Sequence, residues 1–491
     1  MRPDPRRWYV LGVCAGGLFL VVAGVTALSV ALPDLERSLG ADAADLQWIV
    51  DSYAVVFGGL LLTGGAIGDR IGRRPALLIG LLLFGLGGLV GGVVDSVDGV
   101  IVARVVSGLG AAMLMPATLS TLTEVFDEDE VPQAIAWWAG VAGGGSALGP
   151  VMAGWLLEVS SWRAVFLANA VGGAAGIIAV LVVVPKLAPA TSGRLDLGGA
   201  VLSTVTIGAT LFAVIEAPGH WTDPMVLAAV VIAIAGLIAF IGHERRTPVP
   251  MIPARAVASP RLRTGAATLV LTAVGFAGVV FVASLLLQFA WDEGPLVTGL
   301  VVAPIGVVEL LVASRVPQLG QRFGINRVIS YGIVLMSAGY VGMALTPIGE
   351  HLLFVAAGVV AGVGNGLVIP ASIDRVIGDA DPEMAGVVAG INETSIELGA
   401  SLGIAILGSV QRVAFRNELD VDVDSFTEGV EAVGEQAAAA AYDTSAGYAL
   451  IVGAVIVAAA LPFARRDLES ACVTAPPPGE AAGPTNAGTR S

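Results

Sequence analysis

Charge is scarce in this 491-residue sequence: Asp, Glu, Lys and Arg supply 13% of it against 56% hydrophobic residues, whereas an ordinary soluble domain carries about 25% charged residues. So little charge cannot cover a water-facing surface. Cysteine is nearly absent. Cys14 lies in an apolar run and Cys472 in a polar tail, which excludes a disulfide between them. The three histidines, His220, His243 and His351, stand apart from one another and from cysteine, so no metal cluster is implied. No Gly-x-x-x-x-Gly-Lys-Ser/Thr loop is present to cradle ATP phosphates, so ATP is not an expected partner, and no cofactor is implied. Lys186 is the single lysine, and the formal charge of −15 excludes nucleic acid as a partner. That acidity, concentrated at 124–130 and 418–443, fits a GC-rich or a salt-adapted host equally.

What is abundant is apolar sequence in runs of about 20 residues, enough to cross a hydrocarbon core of about 30 Å. Such spans are expected at 9–32, 46–66, 75–94, 99–119, 133–156, 165–185, 197–216, 225–242, 266–290, 295–314, 329–347, 351–372, 386–410 and 445–464. The first follows Arg2, Arg6 and Arg7, as a signal peptide would. It is longer than a signal core of about 7 to 15 residues and lacks a cleavage site, so it is expected to stay as a helix. The positive-inside rule checks the count. With the N-terminus cytoplasmic, 20 of the 25 basic residues fall in cytoplasmic connections, four in outer ones, and Arg104 lies within a span. An even number of spans with both termini cytoplasmic follows. The tail from 465 to 491, rich in Ala, Pro and Gly, is expected to be disordered.

Between the second and third spans stands Gly65-Ala-Ile-Gly-Asp69-Arg70-Ile-Gly72-Arg73-Arg74. This loop resembles the signature of the major facilitator superfamily, which implies an acid at Asp69 that latches the inner side against a neighbouring helix end and basic residues. A degenerate echo, Leu319-Gly320-Gln321-Arg322-Phe323-Gly324-Ile-Asn-Arg327, has Gln321 at the acid position. Gly145-Ser-Ala-Leu-Gly149-Pro150 resembles the motif of superfamily antiporters. Small residues there let helices approach closely and proline removes one backbone hydrogen bond, although generic close packing explains the pattern too. Trp162-Arg163-Ala-Val-Phe166-Leu-Ala-Asn169 is similar to the fourteen-helix drug and proton antiporters. The resemblance covers 9–465. It implies an all-α major facilitator fold with a cytoplasmic N-terminus at 1–8, a six-helix bundle at 9–185, two inserted helices at 186–265, a second six-helix bundle at 266–464 and the tail.

Intramembrane charge is costly by a few kcal/mol, so each instance asks for a role. Arg104 in the fourth span needs an acidic or carbonyl partner; the resemblance assigns this arginine to proton coupling, and snorkelling to an interface is the alternative. Asp51 in the second span, Glu309 five residues after Pro304, and Glu393 with Glu397 are the acidic candidates. Glu393 and Glu397 are four apart and share a helix face, where like charges repel. The resemblance implies proton coupling or recognition of cationic drugs for the acids of these helices. Reach to water near a helix end is the other reading, strongest for Asp51. In the first span the family's usual acid and asparagine are replaced by Gly24 and Ser29. Trp137, Trp138, Phe276, Phe281 and Phe289 are candidate stacking partners for a flat or cationic drug, or interface and packing residues.

The expected function is a proton-coupled antiporter that exports lipophilic drugs or antibiotics, cationic or not, across the cytoplasmic membrane by alternating access, with small organic molecules, protons and membrane lipid as partners and no hydrolytic activity. Two other readings stay open: an exporter dedicated to one endogenous metabolite, and a non-transporting membrane sensor or scaffold.

Overall fold

The computed structural model describes residues 6–127, 130–186, 196–218, 220–247, 250, 259–377 and 385–465. The expectation of a disordered tail therefore lies outside the described residues, apart from Arg465. Every described element is helical, and fourteen helices are long: α1 (Arg7–Leu39), α2 (Ala43–Ile71), α3 (Arg73–Val93), α4 (Val97–Val125), α5 (Val131–Val159), α6 (Trp162–Val183), α7 (Leu197–Glu216), α8 (Pro224–Glu244), α9 (Pro260–Phe289), α10 (Pro295–Ala313), α11 (Ile325–Ala344), α12 (His351–Ile377), α13 (Ala385–Leu419) and α14 (Glu435–Ala458). Thirteen of these are long and apolar enough to cross a membrane among the described residues. The other, α5, has 29 residues.

Local chemistry sets the ends. Asp42 and Asp45 form a reciprocal capping box at the start of α2, with bonds of 2.7 and 3.1 Å. Proline opens α8, α9 and α10, where its missing N–H would be unpaired anyway. Gly72 and Gly324 turn the chain at φ 98° and 85°, a backbone region closed to most other residues. These two glycines occupy matching places in the loop signature and its echo.

Several helices outrun their expected limits. α1 was expected to end before Pro33, but it continues through that proline to Leu39 and stops at Gly40, which is left-handed with its N–H on the Glu36 carbonyl. α14 starts ten residues earlier than its apolar window because the alanine run before Tyr442 is strongly helix-forming. At 33 and 35 residues, α1 and α13 exceed the hydrocarbon thickness and project beyond it.

Helices α1–α6 pack mainly among themselves, as do α9–α14. The two groups repeat each other's crossings. A Cβ on Gly80 of α3 would lie 2.9 Å from the Gly110 carbonyl of α4, and one on Gly332 of α11 would lie 2.8 Å from the Gly364 carbonyl of α12. Gly87 and Gly339 repeat the relation one step along, against Ala103 and Ala357. Only glycine admits such backbone contact. The groups meet along two seams, α2 with α13 and α5 with α10.

The end of the bundle that carries the α1–α2 turn, opposite the loop signature, is sealed between the groups. Gln288 donates to the Val30 carbonyl at 3.0 Å, and the Ala43 N–H donates to the Asp424 carbonyl at 3.0 Å. Glu36 accepts from the backbone N–H and the hydroxyl of Thr427 at 3.1 and 3.0 Å. A short helix, Phe426–Val433, stacks Phe426 on Phe289 with ring centres 4.8 Å apart, beside Phe415 and Tyr442.

α7 lies on the α2–α13 seam: Trp48 donates to Glu216 at 3.0 Å and Ser409 to the Val214 carbonyl at 3.1 Å. Its partner α8 is held to it by His243, 2.7 Å from Asp196. Asp196 also caps α7 through the Gly199 N–H at 2.9 Å. Partial burial works against this carboxylate's charge, but the Gly199 N–H and His243 outweigh it and hold the carboxyl below its ordinary range. The stabilisation is therefore present at neutral pH and lost as the pH falls through the carboxylate range. Asp196→Ala is expected to loosen the α7–α8 pair by about 1 kcal/mol, seen as faster amide exchange in the first turn of α7, and the difference from wild type should vanish in acid.

Candidate functional site

The α2–α13 seam brings two of the predicted acids, Glu393 and Glu397, against α2, and Asp51 of α2 lies within reach of Arg104 of α4. Asp51 in α2 is fully buried and neither carboxyl oxygen has a hydrogen-bond partner. Arg104 of α4 brackets it, donating from Nε to the Ile49 carbonyl at 3.0 Å and stacking its guanidinium 4.3 Å from the centre of the Tyr53 ring. This supplies the carbonyl partner that a buried arginine requires, with a cation–π contact added. From the other half, Glu393 and Glu397 of α13 are half-buried and lie within electrostatic reach of Tyr53. The closeness of the helices explains how: a Cβ on Gly58 would lie 3.4 Å from Glu397 Cβ. Tyr53 therefore stands between a cation of one half and two acids of the other, with its own hydroxyl buried and unpartnered. An arrangement of this kind can hold protons or accept a cation, since an ionised buried carboxylate without a partner is the costly state.

Glu309 does not join this group. It faces α12, beside Asn365, with Tyr340 of α11 within electrostatic reach.

The loop signature forms an ion network. Asp69 pairs with Arg73, and Arg73 Nε also lies 3.8 Å from Glu124 at the end of α4. Arg74 donates to the Leu181 carbonyl of α6 at 2.6 Å. Arg70 is exposed in the last turn of α2. Gly65 faces Pro116 of α4, where a Cβ would lie at 3.4 Å. Arg73 thus links α2, through Asp69, and α4, through Glu124, at one end.

Gly145 and Gly149 press α5 onto α1. A Cβ on Gly149 would fall 2.2 Å from Thr26 Oγ1, and Thr26 donates to the Gly145 carbonyl at 3.4 Å. On the opposite side the Pro150 carbonyl meets Gly299 of α10. The segment therefore sits where α1, α5 and α10 converge. Gly24 faces α6 and α3: a Cβ there would lie 3.1 Å from the Asn169 amide and 3.3 Å from Phe84. Asn169 occupies the space a side chain at 24 would enter.

The aromatic candidates scatter. Trp137 is 60% exposed. Trp138 donates to Thr118 at 3.2 Å. Phe276 is partly buried against the larger core, and Phe281 lines a narrow cleft at the sealed end with Glu36, Gln47, Gln411 and Arg412. Sequence reasoning assigned no role to Tyr53, Tyr340 or Asn365. The signal for Asn365 was there, a lone amide in a glycine-rich apolar run.

Residues 14–404 match the Major Facilitator Superfamily. Over 424 residues the chain is 32% identical to a puromycin resistance protein of Streptomyces alboniger, covering 83% of this chain and 82% of that one. Over 453 residues it is 31% identical to a multidrug efflux pump of Mycolicibacterium smegmatis, covering 90% and 88%. Its fold is similar to a crystal structure of a bacterial homologue of the human lysosomal transporter Spinster, with a TM-score of 0.67, 15% identity, and coverage of 94% and 96%. The many apolar helices and these relationships describe a multi-pass membrane transporter of small molecules, not an enzyme. The chain belongs to the major facilitator superfamily.

Proposed function

We propose that the chain is a proton-coupled antiporter that exports lipophilic drugs, including cationic ones and antibiotics, by alternating access. It does so through fourteen spans arranged as six, two and six, with both termini cytoplasmic. The carrying observation is that Arg104 of one half and Glu393 and Glu397 of the other meet at Tyr53 at the seam between the halves, with the unpartnered carboxyl of Asp51 within reach of Arg104. Carboxylates there change neighbours whenever the halves rock against each other, so each state of the transporter favours a different occupant: a proton in one, a cationic cargo in the other. Relatives that are a puromycin resistance protein and a multidrug efflux pump support drugs as the cargo class. The loop network of Asp69, Arg73 and Glu124 is the latch at the cytoplasmic end, and the Gly145–Pro150 segment is the pivot between α1 and α10.

In bacterial cells producing the protein, efflux of ethidium, a lipophilic aromatic monocation, is expected to stop when an uncoupler collapses the proton gradient while ATP is maintained. Efflux that persists would end the proton-coupled reading. Orientation has its own test: a protease tag at Val430 should be cut from outside the cell, and cutting only from the cytoplasmic side would overturn the arrangement.

A further inference from the structure

The sealed end of the bundle, outer in the orientation proposed above, is closed by a piece of the chain that imitates a ligand. The first two residues of the short helix Phe426–Val433 make two kinds of contact there. The Phe426 ring stacks on Phe289 of α9, with centres 4.8 Å apart and planes 18° from parallel. One residue on, the Thr427 N–H and hydroxyl both donate to Glu36 Oε1 of α1, at 3.1 and 3.0 Å. Phe289 also has a cation near it, the Arg37 guanidinium, 6.0 Å from its ring centre. A flat ring, hydrogen-bond donors and a positive charge are thus brought to one corner by three different residues. Joined in a single small molecule, those features describe an aromatic cation carrying amino groups.

The surroundings suit such a body. The Tyr442 ring meets Phe289 and Phe415 edge to face, each with centres 5.3 Å apart. Phe289, Phe415, Tyr442 and Glu36 are each 4% exposed, whereas Phe426 is half-buried and Thr427 is exposed. The three rings and the carboxylate therefore form a wall, and the short helix is a thin cover over it. Gly429 lets the cover lie flush, since a Cβ there would fall 2.8 Å from the Phe415 ring. Glu36 belongs to the first half of the bundle and the rings to the second, so the corner lies across the boundary that parts when this end opens. Charge favours a cation here: no basic residue falls between Arg416 and Arg465, a stretch that contains Asp420, Glu428, Glu431 and Glu435.

We propose that this corner is an exit site for flat aromatic cations, formed by Glu36 with Phe289, Phe415 and Tyr442, and that Phe426 and Thr427 fill it while the outer end is shut. The proposal rests on the reading of the chain as an exporter that takes cationic drugs, and it adds a second station beyond the carboxylates near Tyr53. Cargo arriving from the seam displaces the stand-in: its ring replaces Phe426 on Phe289, and its amino N–H replaces Thr427 on Glu36. Return of the short helix to the same ring face and the same carboxylate then expels the cargo outward. Arg37, paired with Asp34 at 3.7 Å, keeps a counter-charge when it leaves the ring.

The test uses the full-length protein in liposomes and the photoreactive monoazide of ethidium, which keeps the flat cation and one amino group. With a proton gradient imposed, illumination and peptide mapping are expected to find label at two places in wild type, both suppressed by excess ethidium: beside Tyr53 at the seam, and on the peptides that carry Phe289, Phe415 and Tyr442. Glu36→Gln keeps the size of the side chain and an oxygen for Thr427. It should lower the outer label about tenfold, the loss of one charge-assisted contact, and leave the seam label in place. Phe426→Ala uncovers Phe289 and should raise the outer label. The sign separates binding from support: if Glu36 only braced the cover, its loss would expose the rings and the outer label would rise. A rise or no change in Glu36→Gln would therefore overturn the proposal, as would a folded Phe426→Ala with no rise, or wild type labelled at the seam alone. The Glu36→Gln comparison decides even where Phe426→Ala folds poorly. Wild type with no label that ethidium suppresses would instead remove the cationic-cargo reading, and the proposal with it.

Discussion

Glu397→Gln is expected to lower gradient-driven export about a hundredfold, equivalent to about 2.7 kcal/mol at the limiting step. Glu397 is in the middle of α13, on the face that meets Gly58 of α2, and it shares the neighbourhood of Tyr53 with Glu393 one turn earlier. Two carboxylates four residues apart on a helix oppose each other's ionisation. Removing one charge leaves the other free to titrate alone, and it takes from the cargo site the acid that lies beside Gly58 of the other half. Glutamine preserves shape and hydrogen bonding, so packing against Gly58 should survive and the loss should appear as transport, not as protein abundance. Glu397→Asp keeps the charge on a shorter stem and should retain part of the rate. Initial rates of ethidium efflux at a fixed gradient measure all three, and a Glu397→Gln rate within about twofold of wild type would show that this acid is no part of coupling.

Tying the sealed end shut is expected to stop transport altogether. The Ala43 N–H to Asp424 carbonyl bond joins the α1–α2 turn to the segment after α13, so the two Cα atoms lie in the range a short thiol cross-link can bridge. Alternating access requires that this contact break in each cycle, along with the Glu36–Thr427 bonds and the Phe289–Phe426 stack beside it. In a background with Cys14→Ser and Cys472→Ser, the pair Ala43→Cys and Asp424→Cys should transport when reduced, fall to background when cross-linked, and recover on reduction. Undiminished transport by the cross-linked form would mean that this end never opens.

The spans were legible in the sequence because a bilayer forces every crossing to be a run of apolar residues with internally paired backbone. Their ends were less so. Hydropathy stops at the first charge, but Glu36 and Arg37 continue α1, and the alanine run extends α14 beyond its apolar window. The intramembrane acids could be picked out singly, since each violates the local composition. Their grouping could not: Tyr53 and Glu397 are 344 residues apart, and only the docking of α2 on α13 brings them together. For the same reason Glu309 resembled the others in sequence, yet it faces a different set of neighbours. The short helix Phe426–Val433 left no hydropathy signal, being too brief and too polar at its edges, although it carries the ring that closes one end of the bundle.

The central claim is that cargo and protons move in opposite directions through one alternating site, and the direct measurement needs neither cells nor variants. Purified protein in liposomes containing a pH dye, with no proton gradient imposed, is given ethidium on one side only. The account predicts that ethidium entering the lumen drives protons out of it, raising the internal pH, and that the response is absent from liposomes without protein. Ethidium uptake with no change in internal pH, or with protons moving in the same direction as the drug, would contradict it.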